Sequence, residues 1–284
     1  MPASVSPLPE SVVVTRLRAA GCVFAEDEAQ LLMSAAPTLA DLSAMVDRRA
    51  AGEPLEHVLG WAEFCGLRIA VDPGVFVPRR RTEFLVSQAV ALARQAASAG
   101  PAAQHRTVVV DLCCGSGALG VALATALGQV ELYATDLDPV AVRCARRNVA
   151  AVGGQVYQGD LYEPVPATLR GRAGILLANA PYVPTGDVAL LPPEARDHEP
   201  RLSLDGGADG LDILRRVAQA APQWLAPGGH LLSETSERQA PRLVEAMARA
   251  GLVPQVARSG ELNATVIIGT LGGTRGGHTV PGPP

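Results

Sequence analysis

At 284 residues the chain is long enough for one large domain and a small one. With 48% apolar but only 4% aromatic residues, its core must rest on Leu, Val and Ala. A net charge of −4 gives no support to polyanion binding by the whole surface, though a local basic patch stays open. No apolar run reaches the roughly 18 residues a membrane span needs, and no basic start followed by an apolar stretch suggests a signal peptide. The cysteines Cys22, Cys65, Cys113, Cys114 and Cys144 show no Cys-x-x-Cys spacing. A metal site or a disulfide framework is therefore not expected, and the default compartment is the cytoplasm.

Residues 8–52 read as amphipathic helices. Val12, Val13, Leu17 and Ala20 fall on one face; Ala29, Leu32 and Met33, then Leu39, Leu42, Met45 and Val46, supply two more short helices. Asp41 is the expected cap of the third. Gly52-Glu53-Pro54 breaks the unit. Phe64, Leu67, Ile69, Val71, Val75 and Val77 change the period and predict a β-hairpin, with Asp72-Pro73-Gly74 as its turn and Trp61 and Phe64 in its core. A long helix is expected from Thr82 to about 99, ended by Gly100-Pro101. Strands are then expected at 107–112, 131–135, 155–158, 174–178, 229–234 and 264–269, and helices at 118–127, 139–151, 211–225 and 239–250. Such alternation builds a mostly parallel sheet covered on both faces. From about 271 the residues carry no pattern and are expected to form a disordered tail.

The first strand runs into Asp111-Leu112-Cys113-Cys114-Gly115-Ser116-Gly117, a turn in which Gly115 and Gly117 let the backbone bend tightly and approach a ligand. A tight turn without a ligand is the plainer reading. Asp136 ends the second strand, where a carboxylate can accept both hydroxyls of a ribose. Asp160 follows the third and can accept from an adenine amino group, with Leu161 packing on the base. Either acid can equally cap a helix, which is the role expected of Asp138 before Pro139. Cys113 stands where a dinucleotide fingerprint wants its first glycine, and a methyl donor has no pyrophosphate to cradle. This combination points to S-adenosyl-L-methionine rather than NAD.

Asn179-Ala180-Pro181-Tyr182 follows the apolar run Ile175-Leu176-Leu177-Ala178. A delocalised amide or aromatic amine is a poor nucleophile whose proton ordinary side-chain bases cannot remove. The Asn179 side-chain oxygen and the Ala180 carbonyl can fix its two N–H groups, so that catalysis is mostly orientation. Pro181 stiffens the turn, and Tyr182 can lay its ring on the flat group. A buried Asn satisfying a turn beside a core Tyr is the alternative.

Val77-Pro78-Arg79-Arg80-Arg81-Thr82-Glu83, the glycine-rich turn, Asn179 to Tyr182, His198-Glu199-Pro200 through Gly206-Gly207 and Asp209-Gly210-Leu211, and Leu232-Ser233-Glu234 occur in that order. In this combination the chain resembles the HemK-type protein-(glutamine-N5) methyltransferases, which methylate the glutamine of a Gly-Gly-Gln loop in peptide-chain release factors. The resemblance runs from the N-terminal helices to about residue 269. It implies an α/β fold: a Rossmann-like, seven-stranded class I methyltransferase domain over 79–270, a helical substrate-recognition domain over 1–54, and a β-hairpin linker over 55–78. The tail would be 271–284. It implies S-adenosyl-L-methionine contacts at Asp111, Cys113, Cys114, Gly115, Ser116, Gly117, Asp136, Leu137, Asp160, Leu161 and Asn179. The catalytic clamp would be Asn179, Ala180, Pro181 and Tyr182, with Arg79, Glu83 and Glu199 toward the substrate.

The implied partner is a protein, a release factor, with neither stable nucleic-acid binding nor a membrane. Three departures mark a divergent branch. Ala180 replaces a proline. Cys113 replaces a glycine, which is tolerable if its φ stays negative. Arg80-Arg81 replace a Pro-Glu pair. Other readings of the residues stay open. Arg79, Arg80 and Arg81 can bind an acidic or nucleic-acid-bearing partner or form a solvated linker, and Glu199 can equally pair with Arg196 or Arg201. Arg143, Arg146 and Arg147 read as a polar helix face, and His57 and His198 take no role. The acceptor can be a nucleic-acid base or a small-molecule amine, or the chain can be a cofactor-binding paralogue without catalysis.

Overall fold

The computed structural model describes residues 9–98 and 106–273. Three helices open the chain, α1 (Glu10–Ala19), α2 (Ala25–Ala35) and α3 (Leu39–Ala50). Val13, Leu17, Ala29, Leu32, Leu42 and Val46 close on one another as a small core of their own. Val12 and Ala20, expected on the inner face of α1, are exposed: three successive valines spread around a helix that buries one stripe. The cap of α3 is Thr38 rather than Asp41. Thr38 Oγ1 accepts from the Asp41 amide at 3.1 Å, and Asp41 receives the Thr38 hydroxyl at 2.7 Å. Asp41 is thus the third helical residue, where an acid answers the cap.

A short helix, α4 (Leu55–Leu59), leads into the hairpin of β1 (Trp61–Phe64) and β2 (Leu67–Ala70). Its turn is Cys65-Gly66 and not Asp72-Pro73-Gly74. Both turn residues have positive φ, 51° and 72°, as a two-residue connection between twisted strands requires. Asp72-Pro73-Gly74 makes the next turn, where the Val75 amide donates to the Asp72 carbonyl at 3.0 Å. Phe64 and Ile69 enter the main core, whereas Trp61 lies under the Arg68 guanidinium, 3.9 Å from its ring centroid.

The large domain runs α5 (Glu83–Ser98), β3 (Thr107–Leu112), α6 (Ala118–Leu127), β4 (Val130–Asp136), α7 (Pro139–Ala150), β5 (Gln155–Gln158), β6 (Ala173–Ala178), α8 (Pro193–His198), α9 (Asp212–Ala220), β7 (Leu225–Thr235), α10 (Ala240–Arg249), β8 (Leu252–Ser259) and β9 (Ala264–Leu271). The expected end of α5 at Gly100-Pro101 and the tail from 274 lie outside the described residues. Helix α9 stops early because Pro222 cannot extend its hydrogen-bond ladder and a 3-10 turn takes over at Ala221–Gln223.

The seven strands are ordered β5-β4-β3-β6-β7-β9-β8. All are parallel through β7, and β9 is antiparallel to both neighbours. β8 is the strand that periodicity misses. It is an edge strand, half-exposed along its length and carrying Pro254, a residue an edge tolerates because one side needs no partner. Helices α5, α6 and α7 cover one face; α9 and α10 cover the other. The chain lays β3, β4 and β5 outward and then crosses back to β6 on the far side of β3. This order opens a crevice between the carboxyl ends of β3 and β6.

Candidate active site

The turn after β3 has positive φ at alternate residues: Cys113 at 54°, Gly115 at 56° and Gly117 at 78°. The condition that φ stay negative at Cys113 is therefore not met; a side chain in this conformation costs about 1–2 kcal/mol. The turn is held by the Gly117 amide on the Cys114 carbonyl (2.7 Å) and the Cys114 amide on the Thr135 carbonyl (3.0 Å). A Cβ at Gly117 would come within 2.9 Å of Val149, so α6 and α7 need this glycine to meet, whereas one at Gly115 would meet nothing within 4 Å. The turn therefore presents bare backbone to a cleft. Leu161, the other left-handed non-glycine residue of the cleft wall, has φ 49°. Local strain thus gathers at this cleft.

Asp136, Leu137, Asp160, Cys114 and Ser116 also line it. Asp136 Oδ2 accepts from the Gly115 amide at 2.8 Å and Oδ1 from the Asp138 amide at 2.9 Å. Each oxygen keeps a second lone pair for a ligand hydroxyl. Burial raises the Asp136 pKa, against these amides. Asp160 Oδ2 is held by Arg216 at 2.6 Å. Asp138 caps α7 through the Val140 amide, as expected. Asp111 does not reach the cleft. It is buried under the turn, where Oδ2 accepts from the Gly120 amide at 2.9 Å, and burial pushes its carboxyl up to about 7 against that hydrogen bond, the Asp136 charge adding to the shift.

Asn179 follows β6 directly and lines this cleft and also a second one. Phe76, Asn179 and Ser203 are common to both; Pro181 faces the first, Ala180 and Tyr182 the second. Among the described residues no hydrogen bond uses the Asn179 carboxamide or the Ala180 carbonyl. Two neighbouring residues thus keep a free acceptor, Asn179 in the wall common to both clefts and Ala180 in that of the second.

The backbone behind them is tightly braced. A Cβ on Gly206 would lie 2.6 Å from the Pro181 carbonyl and 2.8 Å from Tyr182 Cα, and one on Gly210 would lie 2.2 Å from the Tyr182 carbonyl. Gln239 donates to that carbonyl at 2.8 Å and to the Asp209 carbonyl at 2.9 Å. Gln239, Phe76 and Ser203 are given no role by a reading of the sequence; the nearness of Phe76 to the Val77-Pro78 motif and the place of Ser203 inside the 198–211 motif are the signals that could have marked two of them.

Of the residues assigned toward the substrate, Arg79 lines the second cleft. Glu199 lies behind it, fully buried, pairing with Arg79 at 2.6 Å and accepting from the Val77 amide at 3.0 Å; it pairs with neither Arg196 nor Arg201. Glu83 is elsewhere, accepting from the Cys65 amide at 3.0 Å and facing a separate groove. Arg81 is no solvated linker residue: it bonds Glu234 and the Tyr182 hydroxyl. Arg143, Arg146 and Arg147 are the exposed face of α7. The N-terminal helices reach the site through Arg49 of α3, which pairs with Glu28 and with Glu194, a residue of α8 in the second cleft's wall.

The model of the family described as "Methyltransferase small domain" matches residues 67–190. The chain is 40% identical over 215 residues to a release factor glutamine methyltransferase of Geobacter sulfurreducens, covering 75% of this chain and 71% of that one. It is 37% identical over 194 residues to a 4-amino-L-phenylalanine/4-methylamino-L-phenylalanine methyltransferase of Streptomyces pristinaespiralis, covering 68% and 67%. Its fold is also that of a 16S rRNA N2 G1207 methyltransferase of T. thermophilus solved with AdoMet and guanosine, with TM-score 0.51, 20% identity, and 74% and 49% of the two chains covered. A seven-stranded methyltransferase sheet, a free carboxamide where two clefts meet, and this identity over most of its length establish that the chain belongs to the release factor glutamine methyltransferase family.

Proposed function

We propose that the protein moves the methyl group of S-adenosyl-L-methionine to the side-chain amide nitrogen, N5, of a glutamine, and that the acceptor is the Gly-Gly-Gln loop of a peptide-chain release factor. The observation that carries this reading is the free Asn179 carboxamide in the wall common to the two clefts. The first cleft suits the cofactor: bare backbone at Gly115, spare lone pairs on Asp136 for ribose hydroxyls, and Leu137 and Leu161 for the flat base. When bound, the cofactor supplies an electrophilic methyl on sulfur. The second cleft takes the acceptor. There Asn179 Oδ1 and the Ala180 carbonyl accept the two amide N–H groups and turn the nitrogen toward the methyl, while Tyr182 confines the amide plane. As the N–C bond forms, the S–C bond breaks and leaves a neutral thioether; the amide proton then departs to solvent.

The helical unit of α1 to α3 is the natural receiver of the acceptor protein, because Arg49 ties it to α8 at the acceptor cleft. Such an enzyme works in the cytoplasm, needs no metal, and needs no nucleic acid as partner. The 4-amino-L-phenylalanine relative favours a second reading, an aromatic amine held by the same clamp. Incubation of the full chain with labelled cofactor and either a release factor or 4-amino-L-phenylalanine separates the two. The expected result is one methyl on the loop glutamine, mapped by mass spectrometry. Label in the amino acid alone would replace the protein acceptor with the small molecule, and label in neither would refute both.

A further inference from the structure

Three elements converge on one phenol. Arg81 stands in the 3-10 turn Arg80–Thr82 before α5, Tyr182 follows β6, and Glu234 lies near the end of β7. Arg81 Nη2 donates to Tyr182 Oη at 2.7 Å, Tyr182 Oη donates to Glu234 Oε1 at 2.8 Å, and Arg81 Nε donates to the same carboxylate oxygen at 3.0 Å. The phenol therefore both donates and accepts, which fixes where its ring edge points. The Glu234 side chain is only 3% exposed while that of Arg81 is 48% exposed. The carboxylate is the fixed anchor, and the guanidinium spans from it into the acceptor cleft. Glu234 Oε2 has no partner of its own, so among the described residues Arg81 is the one cation that answers this buried charge. Gln239 holds the Tyr182 carbonyl, and the ring packs against the main core. Its hydroxyl end is held by Arg81 and Glu234.

We propose that Arg81 is a positioning residue for the methyl acceptor, setting the Tyr182 ring through its hydroxyl without touching a reacting atom. This rests on the reading that Tyr182 confines the acceptor amide. It also gives Arg81 a task that a docking cation for an acidic partner would not have, since two of its nitrogens are committed inward.

Two measurements on the full chain test it. In the first, Arg81→Gln, Tyr182→Phe and the double variant are assayed with a release factor. Arg81→Gln is expected to raise KM for the acceptor about tenfold, the loss of one charge-assisted contact, with cofactor affinity unchanged. In the Tyr182→Phe background the same change is expected to add little. An undiminished effect in that background, or an equal loss of cofactor affinity, would overturn the proposal. Arg81→Lys, which keeps the charge beside Glu234, carries the same cycle if the Gln variant does not fold.

The second measurement needs no acceptor. With fluorotyrosine incorporated, the resonance that Tyr182→Phe removes is identified by fluorine NMR. Arg81→Gln should shift and broaden that resonance and spare Tyr133, Tyr157 and Tyr162. An unmoved resonance refutes the brace even if methyl transfer to glutamine is confirmed. A moved one supports it even if the acceptor proves to be an amine.

Discussion

At the scale of single residues, function depends on which polar groups are left free and which are committed. The Asn179 carboxamide is free in the wall common to both clefts, so Asn179→Ala should fold while methyl transfer at saturating cofactor falls about 100-fold, the cost of a misplaced acceptor. Normal turnover by that variant would remove the clamp. Asp111 is committed. Folding lifts its carboxyl from 3.8 to about 7, so between those values the folded protein keeps a proton that the unfolded chain has released. The Asp111 contribution to stability therefore falls as pH rises from about 4 to about 7 and then levels off. Asp111→Asn keeps an acceptor for the Gly120 amide and removes this dependence. Its urea midpoint should exceed that of the wild type at about pH 8 and lose that advantage toward about pH 4. The sequence reveals the types and order of these residues, because Asn179 and Asp136 stand at strand ends where their spacing can be read. It hides commitment: nothing in the letters tells that Asp111 turns under the loop, that Arg216 holds Asp160, or that Cys113 adopts φ 54°.

At the scale of elements, the Asn179–Tyr182 segment is only as rigid as the loop moulded against it. Gly206 has ordinary φ but no room for a Cβ. Gly206→Ala should therefore push the Pro181–Tyr182 backbone and reduce kcat at least about tenfold, with cofactor affinity kept. Comparing titration calorimetry with initial rates checks this, and unchanged kcat would show the loop to be passive. The elements with a strong period, β3, α6, β4, α7, β5 and β6, lie within one residue of where the apolar pattern places them. Those with weak signals do not. β8 is half-exposed and interrupted by Pro254. The hairpin turn falls at Cys65-Gly66, because a left-handed cysteine is not a compositional signal, and Asp72-Pro73-Gly74 offers stronger turn chemistry one step later.

At the scale of the whole molecule, the helical unit and the sheet domain are joined through Arg49, whose side chain is 11% exposed between Glu28 and Glu194. Arg49→Met leaves Glu28 buried without a cation and should cost about 3–5 kcal/mol. It should also raise KM for a protein acceptor more than for a glutamine peptide, since α8 loses its tie to α3. Equal effects on both acceptors would confine Arg49 to stability.

Phe76, Asn179 and Ser203 line both clefts. If the first cleft holds the donor and the second the acceptor, as proposed, clefts that share lining residues can be filled by a single compound. An adenosine scaffold bearing a short carbon tether ended by a primary carboxamide would lodge in both at once, and its affinity would gain from the second binding event being intramolecular. Inhibitors of this enzyme are therefore best sought as linked two-headed molecules.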